Sequence, residues 1–158
     1  MDAGSAHPCV LQAQYSSMDM KMRRYKPKIT VFCCENSVYE TAIEVSSDHS
    51  NIQVIKLPCS GKLSSIHIVK CFESGKDMVI VIACIEEACH FINGNIRVEK
   101  VVEATRNMLE ELDIEDKRLQ ILNFAPNMEE KFRSAFKDVM LQASELGPIY
   151  KKWKKGGV

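Results

Sequence analysis

Asp77-Met78-Val79-Ile80-Val81-Ile82-Ala83-Cys84 is the stretch that decides the fold. It is the most apolar run of the chain, rich in β-branched residues and without the alternation that marks a strand exposed on one face. Such a run reads as a strand buried on both faces, at the middle of a parallel sheet. The sequence on either side repeats one pattern. Upstream, residues 63–73 carry Ile66, Ile68, Val69 and Phe72 at helical spacing, and Gly75 suits the C-terminal cap. Before that helix, Ile52-Gln53-Val54-Ile55-Lys56-Leu57 is a partly alternating strand stopped by Pro58-Cys59-Ser60-Gly61. Further upstream, Ser46 to Asn51 forms a turn cluster, residues 35–45 read as a helix through Val38, Ala42 and Val45, and Ile29-Thr30-Val31-Phe32-Cys33-Cys34 is another buried strand. Downstream, residues 85–95 read as a loop. A strong amphipathic helix follows over 98–112, with Val101, Val102, Thr105, Met108, Leu109 and Leu112 near one side. Residues 119–124 make the fourth strand. A last helix runs from Pro126 and Asn127 to about Leu146, where Gly147-Pro148 stops it. Strand and helix alternate four times, which predicts a four-stranded parallel sheet with flanking helices, flavodoxin-like or Rossmann-like.

The 158 residues suit one domain, and 46% hydrophobic residues are enough for a core. We expect a mobile N-terminal arm over residues 1–27, the α/β domain over 28–146 and a basic tail over 147–158. The tail carries Lys151-Lys152-Trp153-Lys154-Lys155 and reads as a frayed terminus. Lys plus Arg balance Asp plus Glu at 21 each, which argues against nucleic acid as a partner. No apolar run approaches the roughly 20 residues of a membrane span, and Met1 to Ser17 lacks the layout of a secretory signal. The expected setting is cytoplasmic, without membrane insertion.

In such a setting structural disulfides are uncommon, so seven cysteines (9, 33, 34, 59, 71, 84 and 89) call for another explanation. Cys33 and Cys34 end the first strand, Cys59 lies two residues past the second, Cys84 ends the third and Cys89 follows in its loop. Parallel strands point one way, so these five share the carboxyl edge of the sheet, where open α/β sheets bind ligands. Strands about 4.8 Å apart let thiols on neighbouring strands converge. Cys71, in a helix, and Cys9, in the arm, read as ordinary. The spacing permits a [2Fe–2S] cluster with two thiolates per iron, a tetrahedral zinc site or a thiol–disulfide pair. Neighbouring residues on a strand face opposite ways, so the simplest four-ligand set takes one of Cys33 and Cys34 together with Cys59, Cys84 and Cys89.

Phe32-Cys33-Cys34 with Tyr39, Cys59-Ser60-Gly61, Ala83-Cys84 to Cys89-His90, and Gly94-Asn95 with Arg97 and Glu99 carry a family resemblance. In order and spacing, from about Lys28 to about Leu146, the chain resembles the delta subunit of methyl-viologen-reducing hydrogenase, the hydrogenase iron–sulfur subunit family. The resemblance implies a [2Fe–2S] cluster on these cysteines and an accessory electron-transfer subunit that turns over no substrate itself. Its implied partners are protein subunits of a multi-subunit, anaerobic redox complex. Electrons would pass from a hydrogenase or formate dehydrogenase to a heterodisulfide-reductase-like or methylenetetrahydrofolate-reductase-type complex. One departure stands out. The family's opening Cys-Cys-x-Trp-Cys reads Cys33-Cys34-Glu35-Asn36-Ser37 here, so a cysteine is replaced by Ser37. Serine oxygen is a harder donor than thiolate and a poorer cluster ligand. The alternatives are a zinc-stabilised module and a cluster-free docking module.

Among the other residues, His90 is placed to tune a cluster through a hydrogen bond to sulfur, and Arg97 to offset its negative charge. Gly61 and Gly94 read as places of positive φ or of a close approach of the chain to a cofactor. His49 and His67 read as surface groups, and Glu86-Glu87 as a solvated loop pair. Neither Gly-x-Gly-x-x-Gly after the first strand nor a phosphate-binding P-loop occurs.

Overall fold

The computed structural model describes residues 25–149. The expected arm and tail, with Cys9 and the Lys151–Lys155 cluster, lie almost wholly outside them. Four strands, β1 (Ile29–Cys34), β2 (Ile52–Leu57), β3 (Met78–Ala83) and β4 (Leu119–Asn123), alternate with four helices, α1 (Tyr39–Ser47), α2 (Ser65–Glu73), α3 (Gly94–Glu111) and α4 (Glu129–Leu146). All strand pairs are parallel, in the order β2-β1-β3-β4. The architecture is therefore the four-stranded α/β sheet with flanking helices that the alternation predicts.

Burial follows from strand position. Every residue of β1 and β3 is buried, as suits the two central strands, whereas β2 at one edge is only partly covered. Period-two alternation divides the apolar side chains between the two faces. Ile29, Val31 and Cys33 of β1, with Met78, Ile80 and Ile82 of β3, pack beneath α1 and α4 through Val38, Ala42, Phe132, Phe136, Val139 and Ala143. Phe32, Val79, Val81 and Ala83 pack on the other face with Ile68 and Phe72 of α2 and Val98, Val102 and Leu109 of α3. Gly75, at φ +82°, ends α2 in the left-handed conformation that glycine adopts without penalty.

Two expectations of detail differ. Gly94 and Asn95 belong to α3 rather than to the preceding loop, and the helix begins four residues before the expected Val98. The helix opens where Gly94 packs against Gly61, a long-range contact with no periodic signal in the sequence. Met108 and Leu112 are exposed rather than part of the apolar side of α3, because Val98, Val102, Thr105 and Leu109 already fill the stripe that faces the sheet.

At the amino edge of the sheet, a buried polar network joins the two ends of the described chain. Asp77 accepts hydrogen bonds from the hydroxyl of Tyr25, from Lys28 N at 2.8 Å and from Ile149 N at 3.0 Å. Arg118, also buried, donates to the carbonyls of Asp77, Leu146 and Gly147 at 2.8–3.1 Å and to Glu115 Oε2 at 2.6 Å. A buried guanidinium is tolerable because its donors are so fully used. No helix among the described residues is long and apolar enough to cross a membrane.

Candidate metal centre

The chain leaves β1 toward one edge strand and β3 toward the other, so the strand order reverses between them. The crevice beyond their carboxyl ends is where open α/β sheets seat ligands. Cys34 and Cys84 flank it. Their sulfurs lie 3.6 Å apart, both buried, and Cys84 Sγ also reaches the carbonyl oxygen of Asn36 at 3.5 Å. Cys59 follows β2 as the residue before a short 3₁₀ turn (Ser60–Lys62), and Cys89 follows a second one (Glu86–Ala88).

Gly94 draws the second pair together. A Cβ at that position would stand 2.3 Å from Cys59 Sγ and 3.4 Å from Cys89 Sγ, so the Cys59 sulfur fills the place a side chain would take and the Cys89 sulfur lies beside it. Gly61 completes the cradle: its own Cβ would stand 2.9 Å from Gly94 Cα and 3.0 Å from Gly94 O. Both glycines serve close approach, and neither has a positive φ. The four thiols thus form two neighbouring pairs, Cys34 with Cys84 and Cys59 with Cys89. Among the described residues, no three His, Cys, Asp or Glu side chains are gathered tightly enough to hold one metal ion.

Cys33 stands apart. The strand continues through Cys34 without turning, so neighbours keep opposite faces, and Cys33 is fully buried in the core beneath α1 and α4. Burial, reinforced by the Cys34 and Cys84 thiols, pushes its pKa from 9.0 to about 12. It is a core thiol. Cys71 is partly exposed on α2, its thiol donating to His67 O at 3.3 Å, and burial raises its pKa.

Electrostatics gives the centre its character. The Cys84 pKa is pushed up to about 12, first by burial and then by the neighbouring thiols of Cys34, Cys89 and Cys59. Buried sulfurs this close disfavour one another's charged form, and a cation among them reverses that preference. The N-terminus of α3, an 18-residue helix, begins at Gly94 beside Cys59 and Cys89. Its positive end favours negative charge there. Asn95 is buried next to the cradle, and its Oδ1 has no hydrogen-bond partner. Thiol donors in two pairs and a cradle with no room for a side chain fit an iron–sulfur group.

The other sequence candidates lie around this centre. Arg97 and His90 are exposed, and the His90 ring meets Phe91 edge-on at 5.2 Å between centroids. Glu86 and Glu87 are exposed, as is His67, which caps α2 with its Nδ1 2.7 Å from Ser64 Oγ. Ser37 is buried, but its hydroxyl points to the carbonyl of Phe124. Sequence reasoning missed this use of Ser37, for which the Glu35-Asn36-Ser37 stretch offers no spacing signal. It likewise missed the contact between Gly61 and Gly94.

A family model for the delta subunit of methyl-viologen-reducing hydrogenase matches residues 29–147. The chain belongs to this family. Its relatives include the vhu iron-sulfur subunit of the F420-non-reducing hydrogenase of Methanopyrus kandleri, 30% identical over 77% of this chain and 95% of that protein. The vhc iron-sulfur subunit of the F420-non-reducing hydrogenase of Methanococcus voltae is 30% identical over 85% of this chain and 96% of its own length. A segment of one subunit of the ferredoxin:CoB-CoM heterodisulfide reductase of Methanosarcina mazei is also similar, 27% identical over 82% of this chain but only 17% of that longer protein. The delta-subunit sequence thus occurs both as a separate chain and as a portion of a larger redox protein.

Proposed function

We propose that this chain is an accessory electron-relay subunit that holds a [2Fe–2S] cluster on Cys34, Cys59, Cys84 and Cys89 and turns over no substrate of its own. The observation that carries this reading is the gathering of two thiol pairs from three strand ends at the switch-point crevice, Cys34 with Cys84 and, against a glycine with no room for a side chain, Cys59 with Cys89. The family membership, and the naming of relatives as iron-sulfur subunits, support it. When bound, such a cluster supplies a reversible electron couple tuned by hydrogen bonds to its sulfurs and by solvent exposure.

The chain's own residues divide the task. Cys34, Cys59 and Cys84 are buried and exclude water from one side of the centre, while Cys89 is partly exposed. Its loop also carries Phe91 and Ile92, both exposed, with Ile92 at φ +62°. A β-branched residue in the left-handed region is uncommon and is strained. This loop is the side from which a partner surface approaches. The proposed partners are a hydrogenase- or dehydrogenase-type donor, including formate dehydrogenase, and a heterodisulfide-reductase-like or methylenetetrahydrofolate-reductase-type acceptor. The relation to a hydrogenase subunit on one side and to a segment of a heterodisulfide reductase on the other supports this placement.

Single cysteine substitutions test the ligand assignment. Cys34→Ser, Cys59→Ser, Cys84→Ser and Cys89→Ser are each expected to lose iron or alter the visible spectrum after anaerobic reconstitution. Cys33→Ala is expected to keep both. A protein in which Cys33→Ala loses iron and Cys34→Ser keeps it would refute the assignment.

A further inference from the structure

The turn that follows β1 is tied to all three strand ends that bring thiols to the centre. Glu35 N donates to Leu57 O at 2.8 Å, and Asn36 Nδ2 donates to Pro58 O at 3.4 Å, next to Cys59. Cys84 Sγ donates to Asn36 O, and Ser37 N donates to Cys34 O at 3.1 Å. The Ser37 hydroxyl crosses the crevice. It donates to Phe124 O at 2.7 Å and stands 3.4 Å from Ala83 O, the carbonyl that directly precedes Cys84. Ala83 O in turn accepts from Phe124 N at 2.9 Å. The hydroxyl has one proton, and the shorter contact assigns it to Phe124.

We propose that Ser37 is a positioning residue that locks the ends of β3 and β4 to the turn after β1, and so fixes Cys84 opposite Cys34, rather than a ligand of the centre. To ligate a cluster iron as an alkoxide, in place of the thiolate that cysteine would supply, the Ser37 oxygen would have to give up the proton it now donates and leave the buried Phe124 carbonyl without this donor. Buried polar groups are seldom left so. Ser37 N also bonds to Cys34 O, and the Ser37 hydroxyl reaches the strand end that carries Cys84 through Phe124, whose N–H bonds to Ala83 O, so one residue links the two strand ends that present Cys34 and Cys84. This inference rests on the reading of these thiols as ligands, but its first test does not need the metal.

In the full-length, metal-free protein, alkylation by iodoacetamide is followed at each cysteine by mass spectrometry. With Ser37→Ala, Cys84 is expected to react about fivefold faster than in the wild type, the loss of one net hydrogen bond, while Cys71 on α2 keeps its rate. An unchanged Cys84 rate, or equal acceleration of Cys84 and Cys71, overturns the proposal. The second arm reconstitutes both proteins anaerobically with ferrous iron and sulfide. Ser37→Ala is expected to give the wild-type absorption bands and electron paramagnetic resonance signature, whereas shifted bands would mark an oxygen ligand and overturn the assignment. A wild-type protein that takes up no iron would instead overturn the cluster reading, and the alkylation rates would still decide the role of Ser37.

Discussion

Gly94→Ala is the sharpest perturbation of the centre that leaves every thiol in the sequence. The added Cβ would stand 2.3 Å from Cys59 Sγ. Carbon and sulfur in ordinary van der Waals contact stand about 3.7 Å apart, close to the optimum for two carbons, so Cys59 Sγ must retreat by more than about 1 Å. Metal–ligand distances tolerate roughly 0.2 Å, several times less than that displacement. Cys89 Sγ, 3.4 Å from the added carbon, must yield by a few tenths of an ångström as well. The fold suffers less. A cysteine side chain can swing, which holds the overpacking cost to about 1–3 kcal/mol. The assay compares iron content, visible spectrum and far-ultraviolet circular dichroism after anaerobic reconstitution. The expected result is iron reduced by about tenfold or more, equivalent to roughly 1.4 kcal/mol or more of binding, with unchanged secondary structure. A Gly94→Ala protein with wild-type iron and spectrum would refute the role given to Cys59 and to the cradle.

Gly61→Ala should act on the fold instead, because its Cβ meets the backbone of Gly94, which cannot swing aside. A loss of about 1–3 kcal/mol, or a melting temperature lower by roughly 3–10 °C, is expected in thermal unfolding of the metal-free protein. Arg118→Ala should cost about 3–5 kcal/mol by uncoupling the buried network at the amino edge, with the cluster spectrum unchanged because that network lies at the opposite end of the strands. Alkali should weaken the metal-free fold. Cys33 and Cys84 have folded pKa values raised from 9.0 to about 12, so the folded state holds their protons more tightly than the unfolded chain does. That stabilisation is complete below pH 9 and is lost as pH rises toward 12, so the urea midpoint should fall steadily across this window.

The central strands were legible because burial on both faces leaves one signature, an unbroken apolar run, in Met78–Ala83 and again in Ile29–Cys34. The partial alternation of Ile52–Leu57 marked a less buried strand for the complementary reason, and the sheet places it at an edge. Parallel pairing then carried the strand-end cysteines to one edge by topology alone. The choice between Cys33 and Cys34 could not be read, since it depends on whether the backbone turns before or after Cys34. The strand runs through Cys34, so Cys33 stays with the core. The meeting of Gly61 with Gly94, the hydroxyl of Ser37 on Phe124, and the joining of Asp77 and Arg118 to the two ends of the described residues are contacts across long sequence separations. Nothing in local spacing encodes them.

Iron, acid-labile sulfide and zinc quantified in the chain purified without oxygen separate a cluster from its alternatives. About two irons and two sulfides per chain, a brown colour and little zinc are expected. A colourless chain without iron, obtained with iron and sulfide supplied, or one with zinc near one per chain in place of iron, would contradict the cluster reading.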